Sequence, residues 1–150
     1  MIEIRKATEE DTLDILRMGE RAYQAGGHQP IIGEYQPERM EVLTAHLIKE
    51  PDGDIFIARR GDEAIGMIVL SMAHVILSGT YSMAQVITWY VEPDDRSEGA
   101  GKELLESALV WAKARNVDLW VSAPKASQSI AHMCVKRGFK LLESIYIKGP

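Results

Sequence analysis

The chain has 150 residues, of which 46% are hydrophobic, and its formal net charge is −5. This size fits a single domain over residues 1–150, and the negative charge argues against a nucleic-acid partner, which usually requires a basic face. A single cysteine excludes an internal disulfide and favours the reducing cytoplasm. The sequence has no long apolar run and no signal-peptide pattern at Met1–Lys6, so we expect no membrane span and no secretion.

The first half of the chain predicts strands and helices in a mixed order. Thr8 is a plausible N-cap, because Glu9, Glu10 and Asp11 would fill the dipole-favoured first turn of a helix. The predicted elements are a strand at Ile2–Lys6, a helix that ends near Gly26, a loop at His28–Tyr35, a helix that starts at Pro37 and is broken by Pro51–Gly53, and strands at Ile55–Arg59 and Ala64–Ile76. The last of these strands is nearly all apolar and therefore central.

The second half predicts a strand–helix–strand unit followed by one more helix and strand. Its elements are a strand that ends at Val91, a helix at Ala100–Arg115, a strand at Val117–Ala123, a helix at Ser127–Arg137 closed by Gly138, and one long final strand at Phe139–Ile147. Parallel strands joined by a helix place ligand sites at the carboxyl ends of the strands. The fold class is therefore α/β with a mixed sheet, in the order β-α-α-β-β-β-α-β-α-β, with about four helices flanking the sheet.

The stretch Val86–Leu109 is the most informative part of the sequence. An apolar strand stops at Glu92-Pro93, a polar loop with two glycines follows, and then an amphipathic helix begins. Unpaired N–H groups, the helix dipole and the small glycines make such a turn a site for phosphate. The segment Arg96–Gly101 lacks the first glycine and the Ser/Thr of a P-loop, and it lacks the third glycine of a Rossmann turn. An ordinary loop with a helix cap is the alternative.

Two motifs resemble those of the GNAT family of N-acetyltransferases. The Arg-x-x-Gly-x-Gly loop at Arg96–Gly101 resembles the acetyl-CoA pyrophosphate loop of that family. A second family signature, Asn-x-x-Ala-x-x-x-Tyr-x-Lys-x-Gly-Phe, corresponds to Ser127–Phe139, in which Lys136, Gly138 and Phe139 match. Ser127, Ile130 and Cys134 stand at the Asn, Ala and Tyr positions. The resemblance covers essentially the whole chain and implies a GNAT-like fold whose two parallel strands splay to admit the pantetheine arm.

The resemblance also implies which residues hold acetyl-CoA. The pyrophosphate would lie against the loop and the start of the helix, and the strand before the loop would offer backbone groups to the pantetheine and thioester. The implied residues are Tyr90, Val91, Arg96, Ser97, Glu98, Gly99, Ala100, Gly101, Lys102 and Ser127. Lys102 is equally well explained as a solvated surface lysine, and Ser127 as a plain N-cap. The Trp89 side chain is favoured as core because of its strand setting.

The sequence offers two candidate catalytic residues. Many family members use the Tyr of the second motif as general acid, and Cys134 takes its place here, although a lone Cys in a helix is more often a buried small hydrophobe. Glu92 ends the strand beside the expected thioester and is the candidate general base, with a solvated, idle glutamate as the alternative. His28, Glu34 and Tyr35 could line an acceptor pocket. The four histidines show no ligand spacing, so no metal is expected.

These observations favour an N-acetyltransferase that moves the acetyl group of acetyl-CoA directly to a primary amine in a ternary complex. The acceptor is either a small molecule or a protein amine, and the assembly state is left open, with a homodimer as one option. The rival interpretation is a non-catalytic acyl-CoA-binding or protein-interaction module that kept the fold and lost its acid residue.

Overall fold

The protein is described over residues 1–150 by a computed structural model. Its strands are β1 (Ile2–Lys6), β2 (Gly53–Arg60), β3 (Glu63–His74), β4 (Ser82–Val91) and β5 (Asp118–Trp120). Its helices are α1 (Thr12–Ala25), α2 (Gln29–Ile32), α3 (Pro37–Lys49), α4 (Ala100–Ala114) and α5 (Gln128–Lys136). None of these helices has the length and apolar content needed to cross a membrane. The predicted class, a mixed sheet flanked by helices, is confirmed.

The five strands lie in the order β1-β2-β3-β4-β5, and only the β4–β5 pair is parallel. The central strand β3 is buried from Ala64 to Leu70, because α4 covers one face of the sheet and α1 with α3 covers the other. A strand covered on both faces needs a continuous apolar run, and β3 has one. The central position predicted for this strand is therefore confirmed.

The sheet opens between β4 and β5. Only Met83–Gln85 pair with Asp118–Trp120, so β4 has no partner on that side from Val86 to Val91. On its other side, β4 carries a bulge: Thr88 pairs with Val69 and Val86 with Leu70. The bulge leaves the intervening Ile87 without a partner and bends the strand beside the gap. The predicted strand Val117–Ala123 is thus shorter than expected, because the two strands diverge beyond Trp120.

Two segments predicted as loops contain short helices. Helix α2 lies inside the predicted loop His28–Tyr35, and a 3-10 helix covers Pro93–Glu98 before the glycines. Each has a proline in its first turn, where the fixed φ angle suits a helix start and the missing N–H costs no hydrogen bond.

The prediction of a final strand at Phe139–Ile147 is wrong. Helix α5 closes at Gly138 as predicted, with the Phe139 N–H donating to the Cys134 carbonyl at 3.1 Å, but no strand follows. The apolar side chains of the tail are 65–91% exposed: Leu141, Leu142, Ile145, Tyr146 and Ile147. A strand needs a partner backbone, and the tail pairs with none of the five strands. Glu143-Ser144 also divides the apolar residues into two groups, so the segment has no continuous alternating face.

Candidate active site

A cavity of about 620 Å³ follows the gap between β4 and β5. Its wall contains β4 residues Val86–Val91, the segment after β5, and the first half of α5. At one end it reaches Arg96 and Gly101 at the start of α4, and at the other it reaches α1 and the connection that leads to α3. The cavity therefore joins the glycine loop to the opposite helical layer through the opening in the sheet.

The start of α4 presents unpaired N–H groups to this cavity. The Glu103 N–H donates to the Gly99 carbonyl at 3.1 Å, so the N–H groups of Ala100, Gly101 and Lys102 have no partner within the helix. Gly99 has φ +88°, a left-handed conformation that favours glycine. A Cβ on Gly101 would lie 3.6 Å from Val91 Cγ2 and 3.8 Å from Met133 Cε, in ordinary contact. The start of α4 thus has unpaired donors next to the cavity, whose wall includes Gly101.

The other side chains of the glycine loop have different surroundings. Arg96 lines the cavity, and its Nε donates to the Val91 carbonyl at 3.0 Å. Glu98 instead pairs with Arg60, which also binds the buried Asp95 at 2.6 Å. Ser97, Glu98, Gly99, Ala100 and Lys102 are not among the residues that line the cavity. Of the loop, Arg96 and Gly101 therefore form the cavity wall, and Arg60 anchors the loop from the side of β2.

The backbone of β4 determines which peptide groups face the gap. The Glu92 N–H donates to the Ile65 carbonyl in β3 at 2.8 Å. Because successive residues of a strand direct their N–H and C=O groups to opposite edges, the groups of Tyr90 face β3, and those of Trp89 and Val91 face the gap. The sequence pointed to Tyr90-Val91; of these two residues, only Val91 directs its backbone groups into the gap, and Trp89 does so as well. The Trp89 side chain packs on the core beside α4 and also lines the cavity.

Glu92 lies in a network of hydrogen-bond donors. Its Oε1 accepts from Arg17 at 2.5 Å and from Arg21 at 2.6 Å, and its Oε2 accepts from the Tyr90 hydroxyl at 3.1 Å. The Glu92 side chain is only 12% exposed. Burial raises the pKa of Tyr90, and the hydrogen bond to Glu92 raises it further, so this hydroxyl stays protonated and donates. Glu92 is not among the residues that line the cavity, and both its oxygens are occupied.

Cys134 is buried in α5 and does not line the cavity. Its neighbour Met133, one residue earlier on the helix, does line the cavity. Burial raises the pKa of the Cys134 thiol, against a smaller opposite effect of Arg137. The thiol is therefore neutral at pH 7, and its surroundings are those of a packing residue.

Ser127 lies at the start of α5 with its hydroxyl free of the usual capping bond. It is the N-cap residue of α5, yet its side chain makes no capping hydrogen bond, and the residue lines the cavity. Of the two interpretations left open by the sequence, this geometry favours a hydroxyl available to a ligand over a plain cap.

The far end of the cavity contains aromatic residues that sequence reasoning found only in part. His28 and Tyr35 line it as the sequence suggested, whereas Glu34 is exposed and absent from the wall. Tyr23 and Gly19, on α1, also line it and were missed. The spacing of four residues between them places both on one helical face, but nothing in that pattern distinguishes a cavity wall from core. No group of three or more His, Cys, Asp or Glu side chains is arranged to hold a metal ion.

Comparisons with known proteins agree with this geometry. The sequence model described as the acetyltransferase (GNAT) family matches residues 15–139. An uncharacterized N-acetyltransferase of Archaeoglobus fulgidus is 26% identical over 127 residues, which cover 80% of this chain and 82% of that protein.

Solved structures show the same fold. A predicted acetyltransferase from Clostridium acetobutylicum, solved with acetyl-CoA, has a TM-score of 0.81 at 18% identity over 99% of this chain and 96% of that one. An aminoglycoside antibiotic 6′-N-acetyltransferase from Acinetobacter haemolyticus has a TM-score of 0.75 at 20% identity over 99% and 97%. With the family match over most of its length, the chain belongs to the GNAT family of acyl-CoA-dependent N-acetyltransferases.

Proposed function

We propose that this enzyme transfers an acetyl group from acetyl-CoA directly to a primary amine in a ternary complex. The observation that carries the proposal is the continuous cavity, which joins the donors at the start of α4 to the aromatic end beside α1 and passes the inward-facing backbone of Trp89 and Val91. A donor and an acceptor that enter from opposite ends would meet at this backbone.

The residues for the acyl donor follow from the polar groups along the cavity. The N–H groups at the start of α4 would hold the pyrophosphate, with the helix dipole and the positive charge of Arg96 in support. Four further loop residues would contribute to pyrophosphate binding through their backbone and not through their side chains: Ser97, Glu98, Gly99 and Ala100. Lys102 would add positive charge at longer range. The free Ser127 hydroxyl would reach the pantetheine arm from α5.

The chemistry needs few groups beyond the exposed peptides of β4. The amine nitrogen attacks the thioester carbon, negative charge develops on the carbonyl oxygen, and the C–S bond then breaks to release CoA thiolate. Backbone N–H groups that face the gap, at Trp89 and Val91, would donate to that oxygen. The amine loses one proton, and the thiolate, a good leaving group, takes one up from water at the open cavity.

The two catalytic candidates from the sequence remain hypotheses with different support. Glu92 as base must take a proton through a carboxylate that already accepts three hydrogen bonds, so we favour a positioning role in which it holds Tyr90 and α1 against the end of β4. Cys134 does not line the cavity, so we favour a packing role for it over a role as general acid.

A non-catalytic acyl-CoA-binding module is the second candidate function. The observation that favours it is the absence of both Glu92 and Cys134 from the cavity wall. The test is a CoA-release assay with free-thiol detection over a panel of primary amines and a lysine peptide, with the acetylated product identified by mass spectrometry. We expect CoA release that depends on the amine. Tight acetyl-CoA binding without product from any amine would support the module instead.

A homodimer formed through the C-terminal tail is also proposed. The tail exposes its apolar side chains, and β5 has a free edge at the end of the sheet. The tail of one copy would pair with the β5 edge of the other. This contact would cover both the apolar side chains of the tail and the free edge of β5. On the basis of the sequence, we also propose that acetyl-CoA is the acyl donor and that the protein is cytoplasmic.

A further inference from the structure

The acceptor end of the cavity contains no carboxylate in its wall. The residues there come from α1, from the connection between α1 and α3, and from β4, and none of those that line the cavity is Asp or Glu. Glu92, the nearest carboxylate along β4, is paired with Arg17 and Arg21. An acceptor that carries several positive charges would therefore find no anionic partner within this wall.

Aromatic rings take the place of charge at this end. Tyr23 stacks on His28, with ring centroids 5.7 Å apart and planes 28° from parallel, and it also lies 5.8 Å from Tyr35. We name these three residues, Tyr23, His28 and Tyr35, the aromatic wall. Faces of such rings attract flat apolar groups and a single cation.

The backbone holds the aromatic wall in place. The Tyr23 hydroxyl donates to the Gly33 carbonyl at 2.6 Å, and the Tyr35 hydroxyl donates to the Leu16 carbonyl at 3.3 Å. A Cβ on Gly19 would lie 2.8 Å from the Tyr35 hydroxyl oxygen, so only glycine at this turn of α1 lets that ring approach. Helix α2 lies between His28 and Tyr35 in the chain, and its Ile31 and Ile32 are exposed outside the cavity wall.

We propose that the acceptor is a primary monoamine with an aromatic or arylalkyl body, which packs on the aromatic wall, and that polycationic amines are poor acceptors. The inference rests on the proposed acetyl transfer and specifies its substrate class. Desolvation by an apolar, carboxylate-free wall favours the neutral amine, which is the form that attacks the thioester. Substrate binding at this wall thus reduces the need for a dedicated base.

The test compares acceptors that differ in one property at a time. Steady-state kcat/KM is measured at saturating acetyl-CoA for 2-phenylethylamine, n-butylamine, kanamycin and a lysine peptide. Contact with aromatic rings is worth on the order of 1 kcal/mol, so we expect 2-phenylethylamine to exceed n-butylamine by about 5-fold and kanamycin by more.

Variants of the aromatic wall link this preference to the structure. Tyr23→Leu removes the ring but keeps apolar volume, and it should raise KM for 2-phenylethylamine by about 5- to 10-fold while KM for acetyl-CoA stays unchanged. Tyr23→Phe keeps the ring and loses only the Gly33 bond, so its rise in KM for 2-phenylethylamine should be smaller than that of Tyr23→Leu. The matched control is Tyr81→Leu, since Tyr81 is a tyrosine outside the cavity wall.

The outcomes separate this inference from the proposed function. Higher kcat/KM for kanamycin or the peptide than for 2-phenylethylamine would overturn the acceptor class and leave acetyl transfer standing. Unchanged KM in a folded Tyr23→Leu protein, checked by thermal unfolding and acetyl-CoA binding, would overturn the role of the aromatic wall. If acetyl-CoA binds but no amine yields product, the transferase proposal fails and the acceptor class fails with it. Calorimetry of 2-phenylethylamine with the CoA-bound protein provides a readout that does not depend on turnover.

Discussion

The two glycines at the start of α4 differ in what they permit. Gly99 has a left-handed backbone, so any side chain there is strained, whereas a Cβ fits at Gly101. Gly101→Asp therefore tests the anion site without backbone strain. We expect acetyl-CoA affinity to fall at least about 10-fold, because a carboxylate would stand where the pyrophosphate binds. Isothermal titration calorimetry measures the loss.

Gly101→Ala is the matched control, since it adds a Cβ at ordinary contact distance without charge. It should bind acetyl-CoA nearly as well as the wild type. Wild-type affinity in a folded Gly101→Asp protein would place the pyrophosphate elsewhere.

Cys134 gives a second test at the scale of one residue. Cys134→Ala should cost about 1 kcal/mol of stability and leave turnover per folded molecule unchanged, because the thiol is buried away from the cavity wall. The raised pKa of the Cys134 thiol also predicts slow alkylation by iodoacetamide in the native protein at pH 7, and fast alkylation in urea. A large fall in kcat with normal stability would instead restore Cys134 as the acid.

The role of Glu92 is decided by pH dependence. If Glu92 is the base, the rate deficit of Glu92→Gln shrinks as the pH rises towards the pKa of the amine. Our expectation is a deficit that does not depend on pH, together with a loss of about 2 kcal/mol in stability, because the amide offers N–H groups to arginines that need an acceptor. A kcat/KM profile from pH 6 to pH 10, with urea unfolding at pH 7, separates the two. Glu41→Gln, an exposed change on α3, serves as the control.

At the scale of elements, what the sequence could predict was local. The amphipathic helix α4 and the strand β1 are each specified within one segment, and both predictions were confirmed. The length of β5 and the state of the tail depend on which strand edges meet, which no single segment contains. The tail after Gly138 has the apolar residues of a strand but pairs with no strand of its own chain.

One buried carboxylate connects several elements. Asp11 is 2% exposed, accepts from the Thr8 N–H at 2.8 Å, and pairs with Arg5 of β1 at 2.7 Å and with Arg59 of β2 at 3.2 Å. Burial by itself would raise the pKa of Asp11, but these bonds and charges outweigh it, so the pKa lies below its usual value. Asp11 thus holds the start of α1 against the edge of the sheet.

Asp11→Asn should lower the free energy of unfolding by about 3 kcal/mol at pH 7, since it leaves Arg5 without its salt-bridge partner and leaves Arg59 with only Asp14. A lowered pKa in the folded state means that the ionised Asp11 stabilises the protein above about pH 4, the value of an unfolded aspartate, and that this contribution disappears as the pH falls further. The difference between Asp11→Asn and wild type should therefore shrink at pH 3. Urea unfolding at both pH values measures it, with Asp94→Asn, a change of an exposed aspartate outside this network, as control. An equal difference at pH 3 and pH 7 would show that shape, not charge, stabilises this contact.

At the scale of the whole molecule, the candidate site lies at the opening in the sheet that connects the two helical layers. The sequence predicted the glycine turn that begins α4, because that signal is local, and the anion site assigned to this turn stays a prediction. It could not show that the backbone of Trp89, and not that of Tyr90, faces the gap, because this depends on pairing with β3. Nor could it show that Arg17 and Arg21, more than seventy residues away in sequence, would occupy Glu92. Both facts arise from packing between distant segments.

The exposed tail makes a prediction about assembly. Five apolar side chains that remain 65–91% exposed would gain on the order of 2 kcal/mol each if a second copy buried them completely. The β5 edge supplies the unpaired backbone groups that such a strand needs. We expect a concentration-dependent dimer by sedimentation equilibrium, and a monomer after deletion of residues 141–150. Ile145→Lys should weaken the dimer, because it places a charge within the contact, whereas Glu143→Gln, a polar change in the same segment, should leave it intact. A wild-type protein that stays monomeric at high concentration would contradict the exchange of tails. The tail would then fold back on its own β5, and hydrogen exchange would show protection of residues 139–147 in the monomer.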